Sequence, residues 1–375
     1  SRRNADGPVR GTTGKRPDDE RRTMSDYKEL IIRRLQDRID AGAMSAAAVR
    51  IEQRGEVLLD WAGGTYEFDK SSPAIDTESI FLIASITKPM VTSCFALLIE
   101  QGLVDADDTV AKYVPEFAAH GKGKVTLRNC LTHTSGLPDM VPGDVDFRKQ
   151  NAPMSDFVAA ACNARLLFEP GTQVRYQSAG ILMLAEIAER ITGKSIREQL
   201  TELVFKPSGM DSSHLGWRSD FEGRRVDAKV SDADYSSHWN HNSDYWKDFG
   251  APWGGAHTNT ADIARLLQVM LNGGVSAAGE RVFEPGTVRT LLTDNTSAEP
   301  KLSTESRLQE SWGLGWRSQR DGGAGWYGSA VPTRAFGHGG ATGTLTWADP
   351  ASGVVFVVLT NGLLDAEGST LKACG

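Results

Sequence analysis

Two kinds of hydrophobic pattern divide the chain. After a first helix predicted from about Tyr27 to Ala41, short runs of strand length cover Ala47–Gln53 and Glu56–Ala62. Arg54-Gly55 between them predicts a hairpin turn. From Ser85 to Phe205 the apolar stretches lengthen and the chain reads as mainly helical. One helix runs from Ser85 to about Glu100, with Gly102 just past its end as a stop. Pro89 fits there because the first helical turn tolerates a residue without an N–H. Another helix covers about Ala179–Ile191, Thr126 can cap a short one, and Ser195 with Glu198 has capping-box spacing. Beyond Gly254, Asn259 and Asp262 can cap a helix over Ala261–Leu271 that stops at Gly273-Gly274. Strands are predicted near Gly315–Ser318, Gly343–Ala348 and Val354–Leu359. Residues 235–253, dense in Tyr and Trp, fit neither period. The pattern is that of an α/β (α+β) fold, an antiparallel sheet flanked by helices with an all-helical subdomain at about 86–205.

The candidate chemistry begins where the apolar run Ile80–Ala84 meets the long helix. Ser85-Ile86-Thr87-Lys88 sets a hydroxyl and an amine three positions apart, a spacing that shares one helix face. A serine hydroxyl needs a nearby base before it becomes a useful nucleophile. Ser-x-x-Lys also occurs at Ser25–Lys28 and Ser369–Lys372, both in polar sequence near a terminus. Only Ser85 stands between an apolar run and an apolar helix.

Two later motifs add to it. Tyr176-Gln177-Ser178 follows the turn Phe168-Glu169-Pro170-Gly171 and precedes an apolar helix. A lysine ammonium beside Tyr176 would lower its pKa and equip it as a general base. His338-Gly339-Gly340-Ala341 precedes a predicted strand, and glycines there let a substrate lie against the backbone. The N–H groups of Ala341 and Ser85 can together hold an oxyanion.

These motifs, with Leu131-Thr132-His133-Thr134-Ser135-Gly136-Leu137, Lys206–Met210, Gly254–Asp262 and Trp312-Gly313-Leu314-Gly315-Trp316, resemble the serine β-lactamase-like family. The branch is that of class C β-lactamases, D-alanyl-D-alanine carboxypeptidases and related esterases. The resemblance spans about residues 30–362 and implies a β-lactamase/transpeptidase-like fold in one domain over 24–375. It implies that Ser85 is acylated, Lys88 activates it and Tyr176 is a general base. Ser178 stands where the family commonly has asparagine, and His338 where β-lactamases usually carry lysine. A histidine of ordinary pKa is a cation only when protonated, so this departure favours esters over β-lactams. The expected activity is a serine hydrolase on small carboxylic esters. The alternatives are a β-lactamase or D-peptidase, an acyltransferase, and a penicillin-type sensor or scaffold without turnover.

The place of residues 235–253 in the family implies a loop near the cleft, with Trp239 and Trp246 as an aromatic wall of the acyl pocket. His238, His241 and Asp244 lack convincing metal-ligand spacing, so neither metal nor cofactor is expected. His133 and His257 belong to family stretches with a structural reading. No Gly-x-Ser-x-Gly occurs, which argues against an α/β-hydrolase.

Composition narrows the rest. The chain has 375 residues, 40% of them hydrophobic, and a net charge of −7, which disfavours nucleic acid. No apolar run approaches the roughly 18 residues that span a bilayer. Cys94, Cys130, Cys162 and Cys374 are widely spaced, and a reducing, cytoplasmic compartment is expected. Residues 1–23 hold seven Lys/Arg and four Asp/Glu without an apolar core, and read as a disordered extension. Thirteen residues follow Gly362, and they imply a shortened or altered C-terminal helix. The expected partner is a small ester or amide, bound by a monomer or simple homo-oligomer.

Overall fold

A computed structural model describes residues 24–231, 234, 236–319 and 331–362. The expected N-terminal extension, Tyr235, the C-terminal tail with Cys374 and the Ser369–Lys372 motif lie outside the described residues. A helix, α1 (Met24–Asp40), leads into the hairpin β1 (Ala46–Gln53) and β2 (Glu56–Gly64). Arg54 and Gly55 both have positive φ, +52° and +84°, as a two-residue turn matched to strand twist requires. Ser25–Lys28 lies on the first turns of α1, largely in solvent.

Three strands from the end of the chain join this hairpin: β7 (Phe336–Gly340), β8 (Thr344–Asp349) and β9 (Val354–Thr360). With the short β6 (Arg317–Ser318) they complete an antiparallel sheet ordered β2-β1-β9-β8-β7-β6. The strand β9, Val-Val-Phe-Val-Val-Leu-Thr, is apolar throughout because both faces are covered. Phe356 and Val358 turn toward α1 with Ala47, Val49 and Leu35. Val355, Val357 and Leu359 turn the other way, toward the main core.

That core holds α2 (Thr87–Glu100), whose residues from Thr87 to Leu98 are all buried. A helix apolar on every side belongs in the middle of a structure. It packs against α3 (Ala179–Thr192), while α4 (Thr260–Leu271) covers β1, β8 and β9. The predicted caps are formed by Thr126, Ser195 and Asn259.

Three local readings change. The long helix starts at Thr87, and Ser85 sits in a preceding 3-10 turn, Ala84–Ile86. His338-Gly339-Gly340 is part of β7 rather than a lead-in to the next strand. Residues Asp244–Phe249 form a short helix capped by Ser243 inside the segment that fitted no period. A second sheet, β3 (Phe81–Leu82), β5 (Ala256–Thr258) and β4 (His214–Leu215) in that order, escaped sequence reading because its strands are too short to show alternation.

Asn361 fastens the end of β9 to the start of β1. Its Oδ1 accepts from Ser45 N at 3.0 Å and Ala46 N at 3.1 Å, and its Nδ2 donates to Ser45 Oγ and Asp227 O, both at 2.7 Å. Asn361→Ala leaves these buried groups unsatisfied and should cost about 2–4 kcal/mol. Urea unfolding checks it: the midpoint falls while the slope stays the same.

Candidate active site

Ser85 is held where the two sheets meet. Ile83 N donates to Ala256 O at 3.0 Å, and Ala256 N donates to Thr87 Oγ1 at 3.0 Å. From the other side, Thr342 Oγ1 donates to Leu82 O at 2.8 Å and Thr344 Oγ1 to Ile83 O at 3.1 Å. Between these bonds Ala84 takes a left-handed φ of +45°. For a non-glycine residue that conformation costs roughly 1–2 kcal/mol. The surrounding bonds hold it and fix where the Ser85 hydroxyl points.

Lys88, one helical turn on, is 1% exposed. Its Nζ is 2.9 Å from Ser85 Oγ and donates to the Trp253 carbonyl at 2.9 Å. It lies 4.8 Å from the centre of the Tyr176 ring. Burial pushes the Lys88 pKa down to about 7, and the charge of Asp139 opposes that only in part. Near neutrality a large fraction of the amine is therefore unprotonated and can accept the proton that Ser85 Oγ donates.

Tyr176 behaves opposite to expectation. Burial raises its pKa, and the neighbouring Ser85 hydroxyl offsets this only partly. The Arg317 charge also lowers it, but the charges of Asp139 and Glu310 act with burial in the other direction. Tyr176 stays a phenol, a proton donor rather than a ready base. The His133 ring lies 4.8 Å from its ring, tilted by 35°, and accepts from Gln177 N through Nδ1 at 3.2 Å. That buried histidine shapes the Tyr176 loop. His257 is buried elsewhere, against Arg225.

The opposite wall is β7. A Cβ on Gly340 would stand 2.2 Å from Thr344 Oγ1 and 2.4 Å from Ile83 O, so only glycine lets the strand approach the Ser85 turn. His338 Nδ1 donates to its neighbour's carbonyl, Gly339 O, at 2.6 Å, which leaves Nε2 as the acceptor. Burial, then the charge of Lys88, pushes the His338 pKa down to about 3. His338 is neutral across the physiological range and supplies no cation.

Two cavities meet at Ser85, Tyr176 and Ala341. One, about 270 Å³, continues to His338, Gly339, Gly340, Trp312, Glu310 and Arg317. The other, about 280 Å³, continues to Lys88, Ser178, Asp139, Arg148, Trp246 and Trp253. Larger depressions of about 690 and 640 Å³ lie elsewhere, but neither contains a nucleophile beside a base, so chemistry rather than size selects the site. Trp246 lines the second cavity. Trp239 does not; it lies behind, 5.6 Å from the Arg148 guanidinium. His238 bonds the Lys149 carbonyl, His241 packs on Trp246, and no cluster of three metal-ligating side chains occurs among the described residues.

Sequence reasoning missed Asp139, Arg148, Glu310 and Arg317 as members of the site, whereas Trp253, from the aromatic 235–253 segment, lines the second cavity with Trp246. Asp139 lies two positions past the Leu131–Leu137 stretch and Arg317 directly follows Trp316, so nearness to family motifs was the only signal available for them. Arg317 stacks on Trp312 at 5.4 Å and lies 3.7 Å from Glu310. Ser178 Oγ donates to Asp139 at 2.8 Å.

The Lys88 pKa gives a chemical prediction. A fluorophosphonate should modify Ser85 faster as pH rises through about 7, because proton loss from Lys88 creates the base. Lys88→Met should slow modification by at least about a hundredfold. Mass-spectrometric labelling across pH measures both.

Comparison with known proteins bears on family and fold. The profile of the family described as Beta-lactamase matches residues 31–372. A putative D-alanyl-D-alanine carboxypeptidase of Salmonella agona is 28% identical over 367 residues, covering 87% of this chain and 81% of that protein. Among solved structures, a penicillin-binding protein homologue from Caulobacter crescentus superposes with a TM-score of 0.73 at 22% identity, covering 93% of this chain and 96% of its own. A family VIII carboxylesterase does so with a TM-score of 0.72 at 22% identity and the same coverages, 93% and 96%. From the Ser85 turn to the β7 wall, the chain belongs to the β-lactamase family of serine hydrolase folds.

Proposed function

We propose that the protein is a serine acyl hydrolase working through an ester on Ser85, with small carboxylic esters as its substrates. The observation that carries this is the buried Lys88 amine, 2.9 Å from Ser85 Oγ and with its pKa lowered to about 7. Ser85 Oγ bonds to the acyl carbon while its proton passes to Lys88 Nζ. The carbonyl oxygen takes up negative charge facing the N–H groups of Ser85 and Ala341. Tyr176, kept protonated, gives its proton to the leaving alcohol and regains one from Lys88. Water then attacks the ester carbon and loses its proton to Lys88; the bond to Ser85 Oγ breaks, Oγ takes that proton back from Lys88 Nζ, and the acid leaves. The ester preference follows from the neutral His338, which removes the cation that lysine supplies in β-lactamases.

One observation favours a second reading, a peptidase or β-lactamase acting on carboxylate-bearing substrates. Arg317 lines the His338 cavity and can hold a carboxylate, although Glu310 beside it competes for that charge. The carboxypeptidase name of the Salmonella relative points the same way.

Steady-state and burst hydrolysis of a short p-nitrophenyl ester and a chromogenic cephalosporin distinguish them. Ester turnover that disappears in Ser85→Ala, with negligible cephalosporin turnover, is expected. Fast cephalosporin turnover moves the assignment to the second reading, and a one-equivalent burst without turnover marks a sensor. If carboxylates do bind Arg317, Arg317→Gln should weaken kcat/KM for the carboxylate substrate by about ten- to a hundredfold more than for the neutral ester.

A further inference from the structure

The Ser178 cavity carries charge that the hydrolytic cycle does not use. Asp139 is anchored at the start of α3, where its main-chain carbonyl accepts from Ser178 N at 2.8 Å and Ala179 N at 2.9 Å. Its carboxylate accepts from Ser178 Oγ at 2.8 Å, yet the residue remains exposed in the cleft. The remaining charges on this side cancel or vanish. Arg148 is paired with the buried Asp144. Burial pushes His241 down to about 4, so it is neutral, and Lys88 in its reactive form is neutral too. What remains is the negative charge of Asp139, in a cavity that Trp246 and Trp253 also line, with the paired Arg148 guanidinium 5.8 Å from the centre of the Trp246 ring.

The hydrogen-bonding character agrees. Asparagine at the Ser178 position would extend an N–H toward an acyl substituent. Here the Ser178 proton is committed to Asp139, and the pair presents oxygen acceptors. A carboxylate in a cavity lined by indoles suits a cation, because the ring quadrupole and the negative charge attract the same partner. Resting on the acyl-enzyme reading above, we propose that this cavity receives an acyl group bearing a positive charge, an ammonium or quaternary ammonium, with Asp139 as its counter-ion and the Trp246 and Trp253 rings as its walls.

A matched pair of p-nitrophenyl esters tests it: γ-trimethylammoniobutyrate and its isostere with carbon in place of nitrogen. The readout is the ratio of their kcat/KM values, cationic over neutral, so that any change in Lys88 basicity cancels. Wild type should favour the cationic ester by about tenfold. Asp139→Asn should bring the ratio to about one, and Asp139→Glu, which keeps the charge, should restore part of it. A wild-type ratio of one or below overturns the proposal, as does a preference that survives Asp139→Asn. Calorimetric titration of Ser85→Ala with the intact esters reads the same preference without turnover, and equal affinities there also overturn it. Turnover of neither ester, or turnover that persists in Ser85→Ala, would sink the acyl-enzyme reading, while the titration still judges the cation site.

Discussion

A lysine amine withdrawn from water holds its proton weakly, and the rest of the site depends on that. Lys88 lies in α2, the most buried long helix among the described residues, with no carboxylate there within hydrogen-bond distance. Its polar partners are the Ser85 hydroxyl and the Trp253 carbonyl. An ion there would lack the counter-charge that usually makes burial tolerable. The amine therefore sheds its proton near neutrality and becomes a base beside the one hydroxyl that needs it. The same burial keeps Tyr176 protonated and His338 neutral. One physical cause, desolvation, leaves three titratable groups as a weakly basic amine, a protonated phenol and an uncharged imidazole.

That arrangement needs a scaffold that brings distant segments to one point. The Ser85 turn is bonded on one side to β5 and on the other to the β7–β8 connection, through Thr342 and Thr344. Thr360 extends the chain of contacts by donating from Oγ1 to Gly343 O at 2.9 Å. Asn361 then ties the end of β9 to β1. The central strands thus support the substrate-facing wall directly, and the left-handed Ala84 is a local strain that this framework sustains.

The two cavities differ in electrostatic character although they share Ser85. On one side stand the neutral His338 and the Arg317–Glu310 pair; on the other stand Asp139 and the indoles of Trp246 and Trp253. An acyl-enzyme mechanism is indifferent to what flanks the scissile bond. Substrate class within such a family is therefore set by these flanks rather than by the shared Ser85, Lys88 and Tyr176.

Much of the fold was legible in the sequence. Periodicity located the hairpin, α2, α3, α4 and the strands β8 and β9, and side-chain chemistry located the caps at Thr126, Ser195 and Asn259, because both signals come from residues close together in the chain. The spacing of Ser85 and Lys88 likewise fixed a nucleophile beside an amine, since three residues of helix place them on one face. The second sheet was invisible, because strands of two or three residues carry no readable alternation. The direction of the Tyr176 shift, the neutrality of His338 and the presence of Asp139, Arg148 and Arg317 at the cleft were decided only by tertiary structure. Each depends on how much water and which charges surround a group, and those neighbours arrive from segments far apart in sequence. Sequence determined which reactive groups the protein carries; folding decided their protonation and what surrounds them.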